Sequence, residues 1–263
     1  MNVSATELSI IGPAFIVGLL VIATHVPLGM QVLSRGIVFI DLAIAQIAGL
    51  GVISAAVLGL EPEGWAVQVA ALAAALLGAL VLTWTEKKYP EVQEAIIGVV
   101  FILAATAGVI MLADNVHAGE NLRDLLVGQI LWVPPQRLPF VALVYALILA
   151  IWFRFGTRLG RLGFYVLFAC AVTVSVQLVG IYLVFASLII PPLATRHVKR
   201  YRLQVSYAIG VLGYAIGLAA SVVFDLPSGP VVVWALALLG IVAHARSSRH
   251  RQTAIADPGC LDI

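Results

Sequence analysis

Charge is what this chain has least of. Only 11% of its 263 residues are Asp, Glu, Lys or Arg, against 62% hydrophobic, and the mean hydropathy is +1.08. Soluble domains carry about 45–50% apolar and about 25% charged residues, so a water-soluble globule is excluded and the chain reads as an integral membrane protein. A net charge of +2 spread over short loops excludes a nucleic-acid surface. Cysteine is nearly absent: Cys170 lies in an apolar run and Cys260 in a polar tail, which gives neither a disulfide framework nor a CxxC metal site. The last residues, Cys260-Leu261-Asp262-Ile263, have the outline of a prenylation box, but Asp262 stands where an aliphatic residue belongs, and the match is read as chance. Lysine occurs at 87, 88 and 199 and never after a glycine, so there is no GxxxxGK[ST] phosphate loop and the chain is not itself a P-loop ATPase. HExxH and GxSxG are missing too, and the histidines, at 25, 117, 197, 244 and 250, are scattered. An enzyme has no constellation to stand on, and no permanently bound cofactor is expected.

What the chain does have is a series of apolar runs long enough to cross a bilayer, which takes about 20 residues each. They fall at 8–27, 36–60, 65–84, 95–113, 137–153, 163–192, 205–224 and 230–245. The fold class expected is all-α, a polytopic transmembrane helix bundle of about eight spans, over a transmembrane domain at 1–247 with a polar, disordered tail at 248–263. The first run lacks a basic leader and a small-residue cleavage site, so it reads as a span rather than a signal peptide. Lys and Arg mark the cytoplasmic side: Arg35, Lys87 and Lys88, then Arg154, Arg158 and Arg161, then Arg196 to Arg202, and finally Arg246, Arg249 and Arg251. The loops EPEG (61–64), DNVHAGE (114–120) and DLPSG (225–229), with the N-terminus, then face outward.

The run 163–192 breaks this parity, because both of its ends are basic. At 30 residues it is long enough to enter, reverse near Gly180 and return, so a broken or re-entrant element is expected at 177–192; a single long tilted helix is the alternative. Polar residues inside apolar runs suit a conduit. Asp41 and Gln46 interrupt GIVFIDLAIAQIAGLG (36–51), and Thr173, Ser175 and Gln177 precede the suspected break. His25 in ATHVPLGMQ is expected at the inner end of the first span, where Pro27 stops the helix.

The segment SVQLVGIYLVFASLIIPPLATR (175–196) resembles the signature region of the membrane permeases of zinc- and manganese-type ABC importers. EAIIGVVF (94–101), LLVGQIL (125–131) and DLPSGPVVV (225–233) agree with that family in order. The resemblance implies a multi-pass protein of the bacterial inner membrane that pairs with a second permease copy as a homodimer. It also implies two cytoplasmic P-loop ATPase subunits and an external metal-binding protein, with a divalent metal ion as the transported substrate. Such permeases usually carry Asp-x-x-x-His early in the second span. Here Asp41 is followed at i+4 by Ala45, with Gln46 one place on and about 140° around the helix. Either Asp41 is retained and the histidine lost, or Gln46 replaces the histidine; the imidazole is absent in both cases, so the chain reads as a divergent branch.

The path candidates are therefore Asp41, also the candidate metal ligand, with Gln46, Ser175 and Gln177. Each also has a plainer role, as a snorkelling or ion-paired acid or as an interhelical hydrogen bond. His117 and Glu120 are candidates for external metal entry, or else a solvated turn. By resemblance, Pro191, Pro192, Arg196, His197, Lys199 and Arg200 dock the ATPase, over and above ordinary positive-inside anchoring. The rival functions are a gradient-driven transporter with Asp41 as its titrating group, and a non-transporting scaffold.

Overall fold

In lipid every backbone N–H and C=O must be satisfied internally, so runs this apolar fold as helices. The computed structural model describes residues 5–61, 64–112, 126–128, 130–156, 158–198 and 200–256. The helices are α1 (Ala5–Arg35), α2 (Ile40–Val57), α3 (Trp65–Lys88), α4 (Gln93–Met111), α5 (Leu138–Phe155), α6 (Gly160–Val179), α7 (Ile181–Ala194), α8 (Arg202–Phe224) and α9 (Ser228–Ala256), and among the described residues there is no strand. Eight of them are long and apolar enough to cross a membrane; α7 is shorter. The expected all-α bundle is the fold observed. Helix α9 continues through 248–256, part of the stretch expected as a disordered tail. His117, Glu120 and Lys199 lie outside the described residues.

The expected stop at Pro27 does not occur. Helix α1 runs 31 residues with Pro27 inside it. Proline has no N–H, which frees the carbonyl four residues earlier, that of Ala23. Tyr207 of α8 donates its hydroxyl to that carbonyl at 3.0 Å. The lost helical bond is thus replaced by a neighbour, the usual way a membrane helix tolerates proline. His25 consequently sits well inside α1, fully buried, and not at an interface.

Helices α6 and α7 meet at Gly180, whose φ of 78° and ψ of 162° lie in a region open essentially only to glycine. Two contacts fix what the chain does there. The Arg35 guanidinium lies 4.4 Å from the Phe164 ring centroid, which places the basic end of α1 beside the start of α6. Gly29, about 9 Å of helix rise above Arg35, abuts the carbonyl of Leu188. A straight continuation of α6 would have carried Leu188 about 36 Å from the level of Phe164. The chain therefore turns back, α7 runs parallel to α1, and the re-entrant element expected around Gly180 is present. The single long helix is excluded, and the parity of basic loops is restored.

The bundle has two halves. Helix α2 packs on α3 and α4, with α6 against α3; α1 packs on α7 and α8, with α9 against both. Small residues permit the close approaches, as where Gly213 and Gly217 of α8 receive Leu236 and Val232 of α9.

Candidate transport path

At the acidic end, three blocks far apart in sequence converge. Gly128 (φ 70°) and Gly180 lie backbone to backbone, so a Cβ on either would strike the other's main chain, and Gly229 lies against the carbonyl of Val127. The 130–132 turn that follows packs on α1 and α9. Val127 and Gly128, Val179 and Gly180, and Gly229 thus form one knot that holds the α6–α7 reversal.

Below the knot the bundle interior carries buried polar groups of two kinds. Some are satisfied. Tyr145 Oη of α5 is 2.6 Å from Ser175 Oγ, which also donates to the Ala171 carbonyl at 2.7 Å. Tyr214 Oη of α8 is 2.9 Å from Ser187 Oγ of α7 in a second pair of the same kind. Others have no protein partner: His25 Nε2, both carboxylate oxygens of Asp41, Thr173 Oγ1 and Gln177 Nε2. Each such group costs about 1–3 kcal/mol, and more where it is charged. Asp41 is fully buried one residue into α2. Arg35, the basic group nearest it in sequence, lies instead on the Phe164 ring, so the ion-paired reading of Asp41 has no counterpart in the structure.

Of the path candidates, Asp41 and Gln177 present unpartnered buried atoms, Ser175 is engaged with Tyr145, and Gln46 is half-buried on α2. The Arg35–Phe164 contact also sets their depths. Ten residues up α1 from Arg35 is His25, and ten up α6 from Phe164 is Val174, about 15 Å of rise in each case. His25 is therefore level with Thr173, and Gln177 is one turn above. Asp41 lies lower, beside the linker that ends α1. Among the described residues no three His, Cys, Asp or Glu side chains gather as a metal site; the polar groups are strung along the bundle. The sequence places His25 at a helix end and not in the interior, because a proline two residues on ordinarily stops a helix. The signal available was the apolar run PLGMQVL continuing beyond it.

The basic end presents the 195–201 loop. The last carbonyls of a helix lack intrahelical partners, and here Thr195, the C-cap of α7, and residues of α8 supply them. Thr195 Oγ1 donates to Pro191 O at 3.0 Å, Ser206 Oγ lies 2.6 Å from Thr195 Oγ1, and Arg202 Nη2 reaches Pro192 O at 3.3 Å. Pro191 and Pro192 are buried within α7, whereas Arg196, His197 and Arg200 are exposed. Arg196 Nε donates to His197 Nε2 at 2.9 Å, and the His197 ring lies 5.5 Å from that of His244.

Known proteins share this fold. PsaBC from Streptococcus pneumoniae in complex with Fab superposes with a TM-score of 0.74 at 20% identity over 90% of this chain and 93% of that one. In sequence the chain is 24% identical over 184 residues to the "Probable metal transport system membrane protein" of Chlamydia trachomatis, covering 62% of this chain and 63% of that protein. It is 22% identical over 262 residues to the "High-affinity zinc uptake system membrane protein ZnuB" of Haemophilus influenzae, covering 91% and 98%. The chain spans 63% of the length of the Chlamydia relative and 68% of an uncharacterized membrane protein of Synechocystis. The family model of the ABC 3 transport family matches residues 7–160 and 155–247, nearly the whole chain, which therefore belongs to that family.

Proposed function

We propose that the chain is the permease subunit of an ATP-driven importer that moves a divalent transition-metal ion, of the zinc or manganese class, into the cytoplasm. The observation that carries the metal is Asp41: a buried carboxylate with neither oxygen partnered, on an interior strung with further unpartnered polar groups. A bare ion in hydrocarbon would be prohibitively costly, and the lone pairs of Asp41, Thr173 and His25 replace its water piecewise. The names of the Chlamydia and Haemophilus relatives support the same cargo.

The geometry suggests how ATP is coupled. Helix α7 is a 14-residue strut, about 21 Å long, joining the loop that exposes Arg196, His197 and Arg200 to the Gly128–Gly180–Gly229 knot. ATPase subunits closing on Arg196, His197 and Arg200 push one end of this strut, and the outer knot moves with the other. The path opens outward to receive the ion from an external binding protein, then inward to release it. A second permease copy completes the complex, and ATP hydrolysis resides on the partner chain.

The test is uptake of radioactive zinc or manganese by proteoliposomes holding the permease with its ATPase. Uptake is expected to require ATP and to survive ionophores that collapse proton and sodium gradients. Uptake that persists without any ATPase, or stops with the gradient, would sink this reading in favour of a secondary transporter.

A further inference from the structure

The unused group in this bundle is His25. It is fully buried in α1, and its Nδ1 lies 2.9 Å from the carbonyl oxygen of Val21. A carbonyl only accepts, so Nδ1 carries the hydrogen and the tautomer is set by that contact. Nδ1 is also 3.0 Å from Thr24 Oγ1, whose own hydrogen is directed to the Val21 carbonyl, so both neighbours accept from the same nitrogen. The lone pair of the neutral ring is then on Nε2, which is buried and has no protein partner. An imidazole oriented by a backbone carbonyl through one nitrogen, with the other left bare, is the arrangement metal-ligating histidines adopt. Its level on α1 matches that of Thr173 on α6, whose Oγ1 is likewise unpartnered, with the Gln177 amide one turn above.

We propose that His25 Nε2 is a nitrogen ligand for the ion on its way through the bundle, about 15 Å of helix rise above Arg35 at the end of α1, and that it biases the path toward zinc over manganese. The proposal rests on the importer reading given above. The second span offers Ala45 and Gln46 where a histidine would stand, and α1 supplies the imidazole in their place. Imidazole suits zinc, whereas manganese is served by carboxylate and carbonyl oxygens. The ion would meet the His25 imidazole and the Thr173 hydroxyl oxygen first and the Asp41 carboxylate near the cytoplasmic end.

The variant His25→Gln retains an amide donor for Val21 and removes the imidazole. In proteoliposomes with the ATPase partner, zinc uptake should fall at least about tenfold and manganese uptake by no more than about two- to threefold, moving the zinc-to-manganese ratio. An unchanged ratio, whether both rates hold or both fall together, overturns the assignment while leaving the importer reading intact. Absence of ATP-dependent uptake of either ion by the unaltered chain fails the importer reading instead. The ligand itself is then decided by zinc X-ray absorption on the purified full chain with His117, His197, His244 and His250 replaced by alanine. Imidazole scattering from bound zinc supports His25, and its absence overturns it. That second measurement leaves His25 in place and so decides the matter even if His25→Gln does not fold.

Discussion

A polar side chain inside a membrane bundle is kept either because it holds the fold together or because it works, and its hydrogen bonds separate the two. Ser175 and Ser187 each bond a carbonyl one turn back and a tyrosine on a neighbouring helix; they tie helices together. Asp41 has no such bond, so it destabilises the bundle it sits in. Its replacement should therefore affect stability and transport in opposite directions. For Asp41→Asn we expect a melting temperature in detergent that is unchanged or a few degrees higher, with initial metal uptake about tenfold lower, equivalent to about 1.4 kcal/mol of lost transition-state stabilisation. A drop in melting temperature would instead make Asp41 a structural residue.

Among the elements, the α6–α7 reversal is the one the rest depends on. Its existence was legible in the sequence, because basic residues at both ends of one apolar run cannot be reconciled with a single crossing, and Gly180 was the residue able to turn. What holds the turn was not legible. Gly128 lies in a loop 52 residues before Gly180 and Gly229 in the first turn of α9, 49 residues after it, and nothing local in either block tells that they meet there. His25 was hidden for a related reason: the carbonyl freed by Pro27 is satisfied from α8, a tertiary fact that propensity does not carry. The knot makes a prediction for thermal unfolding in detergent. Gly180→Ala and Gly128→Ala each place a Cβ against the other's backbone at positive φ, and each should cost about 2–3 kcal/mol. Because the two sites touch, the double variant should cost clearly less than the sum of the singles. Strict additivity would mean that the two glycines do not share one packing site.

At the scale of the whole molecule, the bundle is a slab of bilayer thickness with two unlike faces. Trp65 and Trp84 lie near opposite ends of α3, both exposed, and 19 residues of helix put them about 29 Å apart, the depth of a hydrocarbon core. Lys88 lies over the Trp84 and Tyr89 rings at the basic face, as an interfacial anchor does. That face also exposes Arg196 and Arg200 on the loop braced by Thr195, Ser206 and Arg202. If the loop is where an ATPase pushes, its charge matters to the partner and very little to the fold. Reversing both, as Arg196→Glu with Arg200→Glu, changes exposed positions and should leave the melting temperature within about a degree or two. Against an acidic partner surface the same change sets like charges together, and the ATPase should no longer copurify, with affinity down at least about tenfold. The unaltered complex should also weaken as salt rises, since exposed pairs are screened beyond about 8 Å at physiological ionic strength. Retained copurification with lost uptake would place the two arginines in transmission of the stroke, and retention of both would remove this loop from the coupling route altogether.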